Sequence, residues 1–253
     1  MKNHELIKTY DLELLARANL HTHSIFSGCA KREMDILSMV RRADELGLEV
    51  LAVTDHFHSD TGDERFLAYI DSIKKTVAES GCKVKVLFGA ELSAIGAGVR
   101  LEAPETNAAI DYRLYSTNHF HCPYWTQPEE KTARGYALYM LDIVRELAHS
   151  GFADAIAHPF VGNYIHAVED RHSVSAAITD NELGDILSVL RDTGVAYEIN
   201  YRAALGFPEF SRRWWKIGKE VGVTFTIGTD AHTLADLDTV SRLPDIRRAL
   251  DEI

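Results

Sequence analysis

Histidine is the chemically reactive residue type that recurs most pointedly in this chain, and several of its 12 copies follow short apolar runs. The first pair, His21 and His23, closes the apolar run 14–20. On a β-strand, side chains two apart share a face and lie about 7 Å apart. Two imidazoles on one face at a strand end can share a divalent ion. An isolated H-x-H also describes an ordinary polar strand end, but this chain repeats the arrangement. Apolar runs 49–54, 83–88, 109–116, 153–157 and 223–227 lead into Asp55-His56, Glu91, His119 with His121, His158, and Asp230 with His232. Solvation of loops does not explain so consistent a set. It is rich in imidazole and carboxylate and poor in thiolate, which suits Zn, Mn or Fe in an open catalytic site rather than a structural zinc site. A carboxylate such as Glu91 can bridge two ions about 3.5–4 Å apart, an arrangement that activates water and neutralises a leaving oxygen. These residues predict a metal-dependent hydrolase.

The elements that must position them are legible from periodicity. Ile36, Leu37, Val40, Ala43 and Leu46 recur at helical spacing over 35–46, and Gly47 stops the pattern. Further helices are predicted over 64–80, 128–150, 181–192, 208–221 and 245–252. The first four of these precede Gly81, Gly151, Gly194 and Gly222. The apolar runs, together with 195–200, read as buried strands. Segment 92–106 reads as a short strand pair or loop, and 161–179 as a long substrate-facing loop. Strands alternating with helices imply parallel β-structure with crossover helices. About seven such units in 253 residues suit a closed α/β barrel better than an open doubly wound sheet. In a parallel barrel, reactive residues gather at the C-terminal strand ends, which is where the His, Asp and Glu residues fall. No composition break divides the chain, so one domain over 1–253 is expected.

Composition narrows the function classes. A net charge of −11 argues against a broad surface for nucleic-acid backbone. Cys29, Cys82 and Cys122 are odd in number and form no C-x-x-C, so a disulfide scaffold is not expected and a cytoplasmic setting is. Residues 1–10 are polar and lack the apolar core of a signal peptide. No run reaches the roughly 18 apolar residues needed to span a membrane. Neither G-x-G-x-x-G nor a P-loop pattern is present.

The ordered motifs H-T-H, T-D-H, G-x-E, N-H-F, A-H-P and G-T-D-A-H, from His21 to His232, resemble those of the PHP family, named for polymerase and histidinol phosphatase. The resemblance implies a distorted (β/α)7 barrel carrying two or three divalent metals and, most often, phosphoester hydrolysis. By position, His21, His23, Glu91 and Asp230 resemble the ligands of one metal. Glu91, His119 and His158 resemble those of a second, with Glu91 bridging, and His56 and His232 resemble ligands of a third. Asp55, next to His56, would support the ligands or carry a proton. Many members with three metals have a further histidine where this chain has Cys29, so either a thiolate ligand or a weak third site is implied.

The remaining candidates follow from position. His121 would either orient substrate or sit exposed in a loop. His58, His166 and His172 are expected to face solvent near the mouth, and Trp214 and Trp215 to pack in the core and at the surface. Arg202, just past run 195–200, would hold a phosphate through its guanidinium. The reading is a histidinol-phosphatase-like phosphoesterase, cleaving a small phosphorylated metabolite with a metal-activated hydroxide. Glu91, Asp55 and Arg202 are its catalytic candidates. An amide or lactone hydrolase on the same barrel is the alternative. A non-catalytic metal-binding module, as in polymerase-attached PHP domains, fits less well with a chain that is nearly all barrel and a nearly complete ligand set.

Overall fold

The structure, a computed structural model, describes residues 8–252; the opening polar stretch through residue 7 lies outside the described residues. The chain runs α1 (Leu12–Leu15), β1 (Ala18–Asn19), α2 (Ile36–Glu45), β2 (Val50–Val53), α3 (Asp63–Ser80), β3 (Lys85–Gly96), β4 (Val99–Arg100) and α4 (Pro104–Ala109). It continues through β5 (Tyr112–Ser116), α5 (Ala133–Ser150), β6 (Ala155–Ala157), α6 (Arg171–Ala176), α7 (Asp180–Thr193) and β7 (Ala196–Asn200). It ends with α8 (Tyr201–Gly206), α9 (Pro208–Val221), β8 (Phe225–Gly228) and α10 (Leu243–Leu250).

Strands β1, β2, β3, β5, β6, β7 and β8 pair in that order, all parallel, and only β4 lies off the path as an antiparallel partner of β3. The ends meet: Leu20 N–H donates to the Ile227 carbonyl at 2.9 Å, and His23 N–H to the Ala231 carbonyl at 3.0 Å. The sheet is therefore a distorted seven-stranded α/β barrel with helices outside it. Alternate strand residues face inward, and the inward row is small. Leu20, Ala52, Leu87, Tyr112, Leu114, Ala155, Ala157 and Ala196 form a compact interior cluster. The opposite faces of the strands pack against the helices in a much larger one. The inward row of β3 passes from Leu87 through Gly89 to Glu91, and that of β7 from Ala196 through Glu198 to Asn200. The strands thus change from apolar to ionisable residues as they approach one end of the barrel. Gly89 is required there, because a Cβ would lie 2.4 Å from the Tyr112 carbonyl oxygen.

The helices follow their caps. Asp35 accepts the Ser38 N–H to start α2, and Thr132 accepts the Gly135 N–H to start α5. Because Thr132 is the cap, α5 begins later than the expected residue 128. Thr179 and Glu182 form a reciprocal capping box at α7. Three local expectations are corrected, and the strand pair expected within 92–106 is borne out with a helix added after it. Run 14–20 is split between α1 and β1, since Asp11 caps a helical turn whose Leu12 and Leu15 are buried. Segment 92–106 carries the long continuation of β3, its hairpin partner β4, and then α4, which Pro104 opens. Segment 161–179 contains α6, capped by Asp170. Trp214 and Trp215 are both buried rather than divided between core and surface. Among the described residues, no helix is long and apolar enough to cross a membrane.

Candidate metal centre

Five strand ends and the interior of β3 deliver their polar residues to one point, and Glu91 on β3 is its hub. The Glu91 carboxylate lies within ion-pair distance of five imidazoles: His56 Nδ1 at 2.8 Å, His158 Nε2 at 3.1 Å, His21 Nε2 at 3.4 Å, His23 Nε2 at 3.6 Å and His119 Nε2 at 3.7 Å. Asp230 closes the other side, with Oδ1 3.0 Å from His23 Nε2 and 3.6 Å from His21 Nε2. His21, His23 and Glu91 are almost completely buried, and His56 and His232 stand at the open edge. Four overlapping triads have ligand atoms close enough to grip an ion: His21–His23–Asp230, His21–Glu91–His158, His56–Glu91–His119 and His23–His56–His232.

Two features argue that this geometry is built for cations. The Nε2 atoms of His21 and His23 converge at 3.1 Å, with Asp230 Oδ1 3.0 Å from His23 Nε2, so that one ion could be gripped by all three. Glu91 Oε2 is ion-paired with His56 Nδ1 at 2.8 Å, whereas His158 Nδ1 is buried without a hydrogen-bond partner among the described residues. Buried polar atoms left this way are costly unless something else satisfies them. Imidazole nitrogens and carboxylate oxygens are a fitting donor set for Zn, Mn or Fe.

The rings are oriented from behind, as metal-binding imidazoles generally are. His21 Nδ1 meets Glu198 Oε1 at 2.7 Å, and His232 Nδ1 meets the Asp230 carbonyl at 2.7 Å. Ser27 lies 3.4 Å from His23 Nδ1, and Ser116 lies 3.4 Å from His119 Nδ1. His158 and Asp230 both adopt positive φ, 30° and 55°. Non-glycine residues in that region carry backbone strain that the surrounding structure must hold.

Electrostatics divides the cluster into charged and neutral members. Burial opposes ionisation of Glu91, but the His56, His21 and His119 imidazoles outweigh it and hold the carboxyl well below its usual range. Asp230 is likewise held low against burial, chiefly by His21 and His23. His21 is driven well above the ordinary imidazole value: burial opposes this, and Glu198, Asp230 and Glu91 prevail. His56, buried but paired with Glu91, is raised to about 10. Burial and the neighbouring His56 lower His23 to about 4, and burial keeps His119 well below its usual value. The Cys29 thiol is lowered to about 7, because His232 and His56 outweigh its partial burial.

The cluster opens into a cavity of about 280 Å3 whose lining includes Cys29, His56, His121, Tyr164, Arg202 and His232. Arg202 is half-exposed there, and its ion pair with Asp236 is long at 3.4 Å. His121 is exposed at the same mouth, 5.2 Å ring to ring from Tyr164. His58 is half-buried rather than solvent-facing, since its Nδ1 meets the Tyr124 hydroxyl at 2.8 Å. His166 is exposed beside His121, whereas His172 lies elsewhere, against Phe207. Asp55 is wholly buried behind the cluster. Its carboxylate accepts from the Ser24 N–H and hydroxyl, the Ser27 hydroxyl and the Tyr69 hydroxyl. With both oxygens so engaged, Asp55 is placed to brace the turn that carries His23 and not to reach the cavity. Two contributors were not singled out in the sequence: Glu198, and Ser27, which also accepts the His56 N–H. The signal for Glu198 was a lone carboxylate inside the apolar run 195–199.

A parallel barrel with this cluster at its C-terminal strand ends defines a hydrolase class. The chain belongs to the PHP domain family, whose model matches residues 19–243. A probable phosphatase of Vibrio vulnificus is 28% identical over 238 residues, spanning 90% of this chain and 84% of the relative. A probable phosphatase of Caldanaerobacter subterraneus is 25% identical over 237 residues, spanning 92% of this chain and 82% of that one. Among solved structures, a histidinol phosphate phosphatase from Lactococcus lactis, complexed with zinc, L-histidinol and phosphate, shares the fold with a TM-score of 0.59 at 17% identity. The likeness covers 92% of this chain and 93% of the other.

Proposed function

We propose that this protein is a metal-dependent phosphomonoesterase acting on a small phosphorylated metabolite, with the whole chain serving as one catalytic unit. The observation that carries the reading is Glu91, a buried carboxylate ringed by five imidazoles. In this reading His21, His23 and Asp230 hold one divalent ion, and Glu91, His119 and His158 hold a second, with Glu91 shared. His56 and His232 would hold a third, with Cys29 beside it. Bound divalent ions would bring the pKa of a water toward about 7 and neutralise charge on phosphoryl oxygens. Arg202, loosely paired and facing the cavity, clamps the phosphoryl oxygens through two parallel N–H donors. Asp55 acts by holding the 24–27 turn in place, not by moving a proton. The cavity of about 280 Å3 suits a small leaving group. The free thiols Cys29, Cys82 and Cys122 are in keeping with a cytoplasmic setting. The histidinol phosphate phosphatase of similar fold makes that ester the first to try.

The test is phosphate release from a panel of phosphorylated metabolites, using metal-analysed enzyme with and without added Mn. Release from a few members, abolished by a chelator and by His21→Ala or Glu91→Ala, is the expected result. Full metal content and full activity in both variants would show the site to be misplaced. A metal-loaded enzyme that releases no phosphate would turn attention to amide or lactone substrates.

A further inference from the structure

Glu198 sits on the inward row of β7, 2% exposed, and does not line the cavity. Its two oxygens are divided between two segments of the metal centre. Oε1 lies 2.7 Å from His21 Nδ1, and Oε2 accepts the His158 backbone N–H at 2.6 Å. His158 is the residue held at a φ of 30°, so that hydrogen bond restrains a strained backbone. The carboxylate also occupies a slot that only glycine leaves open. A Cβ at Gly228 would lie 2.1 Å from Glu198 Oε1 and 2.4 Å from the His21 Cβ. β8 thus gives up a side chain where β7 and the His21 strand end meet.

We propose that Glu198 is the positioning residue of the metal centre: it holds the His21 proton on Nδ1, leaving the Nε2 lone pair for metal, and with its other oxygen anchors His158. This rests on the metal-centre reading above and adds to it a single carboxylate serving ligands of two different ions. The argument turns on acceptor count. A carboxylate has two acceptor oxygens and can take both N–H groups, whereas a glutamine amide has one acceptor and one donor. In Glu198→Gln the amide nitrogen must face either the His158 N–H, leaving two donors opposed, or His21 Nδ1. In the second case Nδ1 becomes the acceptor, the ring proton moves to Nε2, and the metal-binding lone pair is lost. A neutral isostere of nearly the same volume therefore disables one of the two anchors without removing a ligand.

The experiment strips wild-type and Glu198→Gln proteins with a chelator and reconstitutes them with zinc. It then measures zinc per chain, zinc affinity against a competing chelator, and the melting temperature of the metal-free forms. Zinc affinity weakened by about 10- to 100-fold is expected, with the metal-free variant melting lower than wild-type, because a buried charge partner of His21 is lost, but still in one cooperative transition. If both proteins bind zinc equally, Glu198 does not position the ligands and the metal reading survives. If wild-type itself takes up no zinc, both readings fail together. A direct measurement on zinc-loaded wild-type decides the matter even if the variant does not fold. Nitrogen-15 NMR should find the His21 proton on Nδ1 and the metal on Nε2, and the reverse arrangement would overturn the proposal.

Discussion

In the metal-free protein, against the effect of burial, His21 is driven well above the ordinary imidazole value by Glu198, Asp230 and Glu91, and His56 is raised to about 10 by Glu91, so protons compete with metal for both rings. A metal ligand must be deprotonated, so an ion entering the site has to displace those protons. Zinc titrated at pH 7 by calorimetry, in buffers of different ionisation enthalpy, should release protons; a heat independent of buffer would contradict this. The linkage has a definite sign in the metal-free form. The stabilisation that His56 draws from Glu91 is complete below about 6.5 and is lost as pH rises through about 10. Arg202 makes the other residue-level prediction. Its removal leaves the metal ligands intact, so Arg202→Ala should keep full metal content. A lost charge-assisted hydrogen bond of about 1.5–3 kcal/mol should lower kcat/KM about 10- to 100-fold. Unchanged kinetics on the best substrate would remove Arg202 from the site.

At the scale of elements, the helices are held by local capping and by ties between neighbours. Glu182 serves both: it completes the α7 capping box with Thr179 and pairs with Arg134 on α5. Arg134 first, then the Thr179 backbone N–H, lower its carboxyl from 4.5 to about 2. The folded value is depressed, so the stabilisation is present above 4.5 and lost as pH falls toward about 2. The pair is partly exposed and its charge interaction is screened, so the cap dominates. Glu182→Ala should cost about 1 kcal/mol in urea unfolding near neutral pH. The gap from the parent should close as pH falls through that window; a pH-independent gap would place the effect outside the carboxylate.

For the whole molecule, the site lies where five of the seven parallel strands end beside the middle of β3, so its occupancy bears on barrel closure. The proposed ligands come from both ends of the chain, His21 and His23 beside Asp230 and His232. Ions that bind only the folded arrangement stabilise it by about 2.7 kcal/mol at one hundred times their Kd. For a chain of this size each kcal/mol moves Tm by about 2–4 °C. Chelated protein should therefore melt about 5–10 °C below zinc-loaded protein in a thermal scan. Coincident melting curves would mean that no ion binds the barrel.

The sequence by itself determined the parallel alternation and the ionisable residues at the strand ends, because these are written locally, and it favoured a barrel whose closure rests on contacts such as Leu20 N–H to the Ile227 carbonyl. An apolar run buries as a strand, a helical period follows, and His, Asp or Glu marks the strand end. What it could not determine was which atoms meet. Asp55 stands beside His56 in the chain and reads equally as a proton carrier or a support; only the folding of Ser24, Ser27 and Tyr69 around it gives it the second position. Glu198 is 177 residues from His21, and no local pattern announces that one of its oxygens faces that ring while the other takes the His158 N–H. Run 14–20 misled for the converse reason: its apolar residues satisfy a strand pattern, but Asp11 caps a helical turn that buries Leu12 and Leu15. Residue type and spacing fix what chemistry is present, whereas hydrogen-bond partners and proton positions depend on contacts between distant strands, which only the closed barrel creates.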